Sequence, residues 1–379
     1  MKVQQKKFSK ENGWETREDS YFDASNCQFV IAFGSRAIFE DPAIYKFICN
    51  SYPKADIIMN STAGEIYDTQ VNDETISLTA VCFETTKIKT ATVKIDEVAN
   101  SREAGRFLAS ALDPENLKNV LVISDGQKVN GSELVQGLQE CLAAEIIITG
   151  GLAGDGSLFK KTLVGLNESP VEGRIVAIGF YGDRLSVTHG SMGGWDSFGP
   201  ERLITKSVAN ILYELDGKPA LDIYKMYLGE YANELPGSGL LFPLSIRTGN
   251  AEEFVVRTIL GVNEAEKSLT FAGNMPEGAY ARLMKANFDR LIEGASHAAC
   301  KSVNGNSKKP NLAILISCVG RKLVLNQRIE EEVEVIRTVY GDDTAITGFY
   351  SYGEISPSIN LKKCELHNQT MTITTLSEE

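Results

Sequence analysis

One unit occurs three times in this chain, and it constrains the fold more than any other feature of the sequence. Each copy begins with an apolar strand, passes through a short turn into an amphipathic helix, and returns through a second strand ending in a glycine-bearing turn. In the first copy the strand is residues 29–33, the turn is Gly34-Ser35, and the helix covers about 41–51 with Pro42 at its first position. Ile44, Phe47 and Ile48 share one face of that helix. A strand at 57–59 then runs into STAGEI (61–66), and strands at 75–83 and 88–95 close the copy. The second copy has a strand at 120–124, the turn Asp125-Gly126, and a helix from Ser132 with Leu134, Leu138, Cys141 and Leu142 on one face. A strand at 146–149 leads into GGLAGDG (150–156), with strands around 162–165, 175–181 and 185–189. The third has a strand at 312–317, the turn 318–321, a helix bearing Ile329, Val333, Ile336 and Val339, and a strand at 345–347. GFYSYGEI (348–355) follows, with strands near 358–361 and 370–375. The repeated β-α-β-β-β order predicts an α/β fold with mixed sheets flanked by helices.

Residues 196–309 break the pattern. There the sequence suggests helices at about 203–215 and 219–234, strands near 253–261 and 268–273, and a long helix from 276 to about 299. The Gly217-Lys218-Pro219 turn suggests a boundary, giving a polar N-terminal extension (1–26) and two domains, 27–221 and 222–379.

The two leading strands of each copy should run parallel, so their following loops emerge on one carboxyl edge, where open α/β sheets bind ligands. That places Ser35, Asp125 and residues 318–321 beside 61–65, 150–155 and 350–354. The candidate ligand contacts are therefore Ser61, Thr62, Glu65, Asp155, Arg321, Tyr350, Tyr352 and Glu354. The three acids would receive an ammonium group. Tyr350 and Tyr352 alternate and would wall a pocket in front of Glu354, which suits an amine or amino-acid ligand. The alternative is structural: the glycines make turns, the acids cap helices and the rings pack in the core.

Composition removes other classes. With 50 acidic and 38 basic residues the net charge is −12, which disfavours nucleic acid. The polar start lacks the apolar stretch of a signal peptide, and apolar runs such as 312–320 are about half the ~20 residues that span a bilayer. Seven scattered cysteines without a CxxC pair suit reduced thiols, so the reading is a cytoplasmic protein without membrane contact. No P-loop, GxGxxG, HExxH or nucleophile elbow is present, so no catalytic signature or metal site is read. Cys318, at a strand end before a helix and near Arg321, is either a redox-sensitive thiol or a small packed residue.

STAGEI (61–66), SCVGR (317–321), GFYSYGEI (348–355) and ELHNQTMTI (365–373) together resemble the FIST proteins, named for F-box and intracellular signal transduction. LDGKPALDIY (215–224) is similar to the segment joining that family's N- and C-terminal parts, and the resemblance covers about 27–376. It implies a sensory module that binds a small ligand, amino acids among them, and that signals through a partner such as a histidine kinase. In a subset of members it implies haem and nitric-oxide sensing. Haem would need an axial ligand, and His367, His189 and His297 are the candidates, with His367 inside a family motif. An enzyme acting on a small carboxylate or amine at the same edge is the alternative of a different class.

Overall fold

The structure is a computed structural model that describes residues 1–17, 22–249, 254–303, 309–357 and 363–378. The strand expected near 358–361 lies outside these residues. The leading β-α-β part of each copy is built as its sequence pattern predicts. Strands Phe29–Gly34 and Asp56–Ser61 pair in parallel, as do Leu117–Ser124 with Ile147–Leu152 and Leu312–Cys318 with Ala345–Ser351. The intervening helices are Pro42–Ser51, capped by the Asp41 carboxylate, and Gly131–Cys141, capped by Asn130. In the third copy the connection is Val319–Leu325 followed by Ile329–Tyr340. Antiparallel strands Thr75–Cys82, Arg174–Tyr181 and Met371–Glu378 flank the central strand of each copy.

The remaining strands do not close their own copy; they are exchanged around a ring. Glu65–Tyr67 leaves the first copy to pair with Ala345–Ser351 of the third. Gly353–Pro357 leaves the third to pair with Ile147–Leu152, and Val164–Leu166 leaves the second to pair with Asp56–Ser61. In the opposite sense, Lys87–Lys94 pairs with Arg174–Tyr181 and Leu185–Met192 with Met371–Glu378. The equivalent place beside Thr75–Cys82 is filled by the N-terminal strand Lys2–Ser9, itself paired with Gly13–Thr16. The polar N-terminal stretch is therefore part of a sheet.

The inner faces of all three sheets meet in one core that contains Phe29, Ile31, Phe33, Leu121, Ile123, Ile178, Ile314, Ile316 and Phe349. The outer faces pack on helices, which explains why the central strands read as continuous apolar runs buried on both sides.

Residues 196–285 form a separate antiparallel sheet with its own core around Leu212, Tyr224, Leu269 and Phe271. Two expected helices are corrected here. Residues 203–215 are the hairpin of Asp196–Val208 and Ile211–Leu215, turning at Ala209 with φ 51. Its β-branched Ile204, Thr205 and Val208 favour strand over helix. The long helix begins only at Phe288 and runs to Val303, because 276–279 is a turn with Gly278 at φ 80 and Tyr280–Lys285 pairs with Asp196–Val208. The second helix is Ala220–Leu228, continued as a 3-10 segment to Glu234, and the expected strands appear as Val255–Arg257, Ile259–Asn263 and Ser268–Phe271. The separate sheet interrupts the third copy's approach. Strand Lys87–Lys94 reaches helix Ser101–Ala111 through 95–100, whereas Leu185–Met192 reaches Phe288–Val303 only after this whole excursion.

Candidate functional site

The carboxyl-edge turns converge as the topology requires. Equivalent backbone bonds recur in the three copies: Ser35 N–H to Thr75 O, Asp125 N–H to Arg174 O, and Cys318 N–H to Thr370 O, at 3.1, 3.0 and 3.1 Å. Gly154 N–H donates to Ser61 O, Ala63 N–H to Tyr350 O and Tyr352 N–H to Leu152 O, so the three turns tie each other into a ring.

The acids of this ring are buried and already served. Glu65 accepts from the hydroxyls of Thr62 at 2.5 Å and Thr75 at 2.8 Å, and from Thr75 N–H at 3.1 Å. Glu354 repeats the cage, accepting from Ser351 at 2.5 Å and from the Thr370 hydroxyl and N–H at 3.0 and 3.2 Å. Burial outweighs these bonds, raising Glu65 to about 7 and Glu354 to about 8. Asp155 accepts from the N–H groups of Lys160 and Lys161 and from the Tyr352 hydroxyl, with the Arg36 guanidinium at 3.8 Å. Ser61 is buried and its hydroxyl accepts from Leu163 N–H.

Tyr350 and Tyr352 do not wall a common pocket. Tyr350 donates to Glu332 at 3.0 Å inside its own copy, while Tyr352 crosses to Asp155 and stacks on Phe159 at 4.5 Å. The strand ends at Ser351, which sends the two rings into different copies. Arg321 is fully buried, bonded through Nε to Glu332 at 2.6 Å and to the carbonyls of Gly193 and Leu291 at 2.8 Å each. It clamps the two chain segments that enter and leave the separate sheet. Cys318 does not carry an acidified thiol: burial first, and then the nearby Glu354, push its pKa up.

The large void lies elsewhere. A cavity of about 1010 Å³ opens between the separate sheet, helix Gly131–Cys141 and the strand Cys364–His367. None of the eight expected contacts lines it; Tyr352 borders a smaller void of about 210 Å³. The two regions touch through Thr370, which lines the cavity and donates to Glu354.

The cavity wall carries a buried cation. Arg257, 6% exposed, gives Nε to Asn274 O at 3.3 Å and Nη1 to Leu366 O at 2.8 Å and Val256 O at 3.3 Å. Its Nη2 makes no hydrogen bond and the side chain forms no ion pair among the described residues, Glu365 acting on it only at longer range. Burial lowers its pKa to about 10, a small Coulombic lift from Glu365 notwithstanding. His367 lines the same wall, with Nε2 3.1 Å from Ser356 O. Burial first, then Arg257, lowers its pKa to about 4, so the imidazole is neutral. Trp195, Met192 and Met275 add apolar surface to the cavity, the Trp195 indole N–H being spent on Gln369 O at 3.0 Å.

Of the histidines named from the sequence, only His367 lines this cavity. His189 sits half-buried in a strand, with burial lowering its pKa, and His297 is exposed on a helix 3.9 Å from Glu293. Sequence reasoning missed Arg257, Trp195 and Asn274. The available signal was an arginine in the apolar run FVVRTIL (254–260) and a tryptophan after Gly193-Gly194. Among the described residues no cluster of His, Cys, Asp or Glu could hold a metal ion, and no helix is long and apolar enough to cross a membrane.

Comparison with known proteins gives two family matches, to the FIST N domain over residues 28–218 and to the FIST C domain over 220–357. No curated protein matches the chain. Among solved structures, a crystal structure of cyanuric acid hydrolase from A. caulinodans aligns at 7% identity and a TM-score of 0.37, covering 94% of this chain and 92% of that one.

Proposed function

The chain belongs to the FIST family, whose domains are signal-transduction sensor modules, and from that premise we propose that it senses a small molecule held in the cavity. In this reading the signal passes by contact to a partner protein, a histidine kinase or similar output, in the cytoplasm. The observation that carries the proposal is a cavity of about 1010 Å³ with the buried guanidinium of Arg257 on its wall, which forms no ion pair among the described residues and feels Glu365 only at longer range. A buried charge of this kind is costly unless something compensates it.

A sensor of this kind binds without turnover. Cys364, the only thiol on the wall among the described residues, has its pKa raised by burial, so it is held protonated, and neutral His367 is committed to a backbone carbonyl. The test is a thermal-shift screen of small metabolites, with each hit recovered and checked by NMR. At least one class should raise the melting temperature and be returned unchanged. Conversion would make the protein an enzyme, and no stabilisation by any compound would favour a scaffold without a small ligand.

Haem is a second reading, favoured by one observation: a neutral imidazole on a cavity wall. His367 fits in donor type but not in posture, because ligation through Nε2 would break its contact with Ser356 O. A saturable Soret band lost in His367→Ala would establish it, and free-haem behaviour would dismiss it.

A further inference from the structure

We infer that the cavity selects an organic acid: a carboxylate held by Arg257, with an apolar body lying on Trp195, Met192 and Met275. This rests on the cavity being the ligand site, and it names the ligand's chemistry. The argument begins with what Arg257 leaves unused. Two of its nitrogens are fixed by three backbone carbonyls, which sets the guanidinium plane, and Nη2 is left without an acceptor among the described residues. A carboxylate would satisfy that donor and compensate the buried charge together. The space for the guanidinium is made by Gly273, where an added Cβ would stand 2.8 Å from Nε of Arg257 and 3.0 Å from its Cζ.

The other charged groups on the wall are Glu277, Lys363 and Glu365, of which Lys363 is exposed and Glu365 is half-buried and acts on Arg257 at longer range. Glu277 is at the exposed rim and accepts from Ser207 N–H at 2.9 Å. Trp195 has spent its only polar group inside the protein and presents carbon, and Met275, buried in the core of the separate sheet, lines the same cavity. A volume of about 1010 Å³ is at the upper end of small-molecule pockets, larger than a single amino acid needs. One anionic head with an extended apolar tail fits the unused Nη2 donor and the size of the cavity.

The probes are octanoate, octanamide and octylamine, which share a tail and differ in the head. Trp14→Phe leaves Trp195 as the single indole, since the chain has two tryptophans. Octanoate should quench Trp195 and bind about tenfold or more tighter than octanamide, with octylamine weakest. Arg257→Gln should erase that preference. Gly273→Ala should do the same with the charge kept, because it displaces a flexible side chain and leaves the backbone in place. Equal binding of the three probes, or a preference that survives both substitutions, would overturn the organic-acid inference while leaving the cavity as a binding site. No response to any probe would overturn both the inference and the cavity reading on which it rests.

Discussion

Glu65 and Glu354 occupy matching cages of hydroxyls in two of the three copies, and both carboxyls are raised, to about 7 and about 8. A raised folded-state value means the fold favours the protonated acid. The stabilisation is complete below the unfolded value near 4.5 and disappears as pH climbs through 7 and 8. His367 has the opposite sign: its folded value of about 4 lies below the free value of 6.5, so its contribution is present above 6.5 and lost as pH falls through 4. Between pH 6.5 and 8 the glutamates therefore set the slope. Glu354→Gln mimics the protonated acid, and its amide can still serve Ser351 and Thr370. Chemical denaturation across that window should show wild type losing stability, by at most about 1.4 kcal/mol per pH unit per group, while the variant's curve is flatter. Parallel curves would show that Glu354 does not titrate in this range. At the residue scale the sequence marked these acids as equivalent, which the cages bear out geometrically. It could not show that their own Thr and Ser neighbours already satisfy them, because that depends on strands arriving from distant positions such as Thr75 and Thr370.

Elements in the three copies were legible where local pattern and tertiary demand agree. Helix Pro42–Ser51 has Asp41 as cap and Pro at its first turn, and helix Gly131–Cys141 has Asn130 as cap. Pattern failed where the fold overrode it. The sequence suggests a helix at 203–215, although the β-branched side chains there favour a strand, and the segment forms a hairpin that pairs with Ser268–Phe271. Helix Ser101–Ala111 was not legible as part of a copy, yet it packs tightly on Gly131–Cys141 through two glycines. A Cβ on Gly137 would stand 2.0 Å from Arg102 O, and one on Gly105 would stand 2.3 Å from Leu134 O, both backbone atoms that cannot swing aside. Alanine at a helix interior is intrinsically better than glycine by about 1 kcal/mol, whereas overpacking costs roughly 1–3 kcal/mol or more. The contact should win. Gly137→Ala is expected to lower the urea midpoint, and a raised midpoint would mean that the two helices lie farther apart than described.

The whole molecule is a ring of three copies that lend strands to one another in both directions, with the separate sheet of 196–285 standing beside it. The repeat was visible in the sequence because each copy keeps its own parallel pair. The exchange was not, since a short strand such as Glu65–Tyr67 carries no mark of which sheet it will join. The same limit hid the cavity: its wall draws on the ring and on the separate sheet, and Arg257 and His367 are 110 residues apart in the chain. Hydrogen exchange read by mass spectrometry with and without octanoate tests the central claim, that the cavity and not the ring of turns is where a ligand sits. Protection is predicted in 191–195, 254–257, 274–277 and 364–370. Protection confined to 61–65 and 350–354 would contradict the account and return the site to the carboxyl-edge turns.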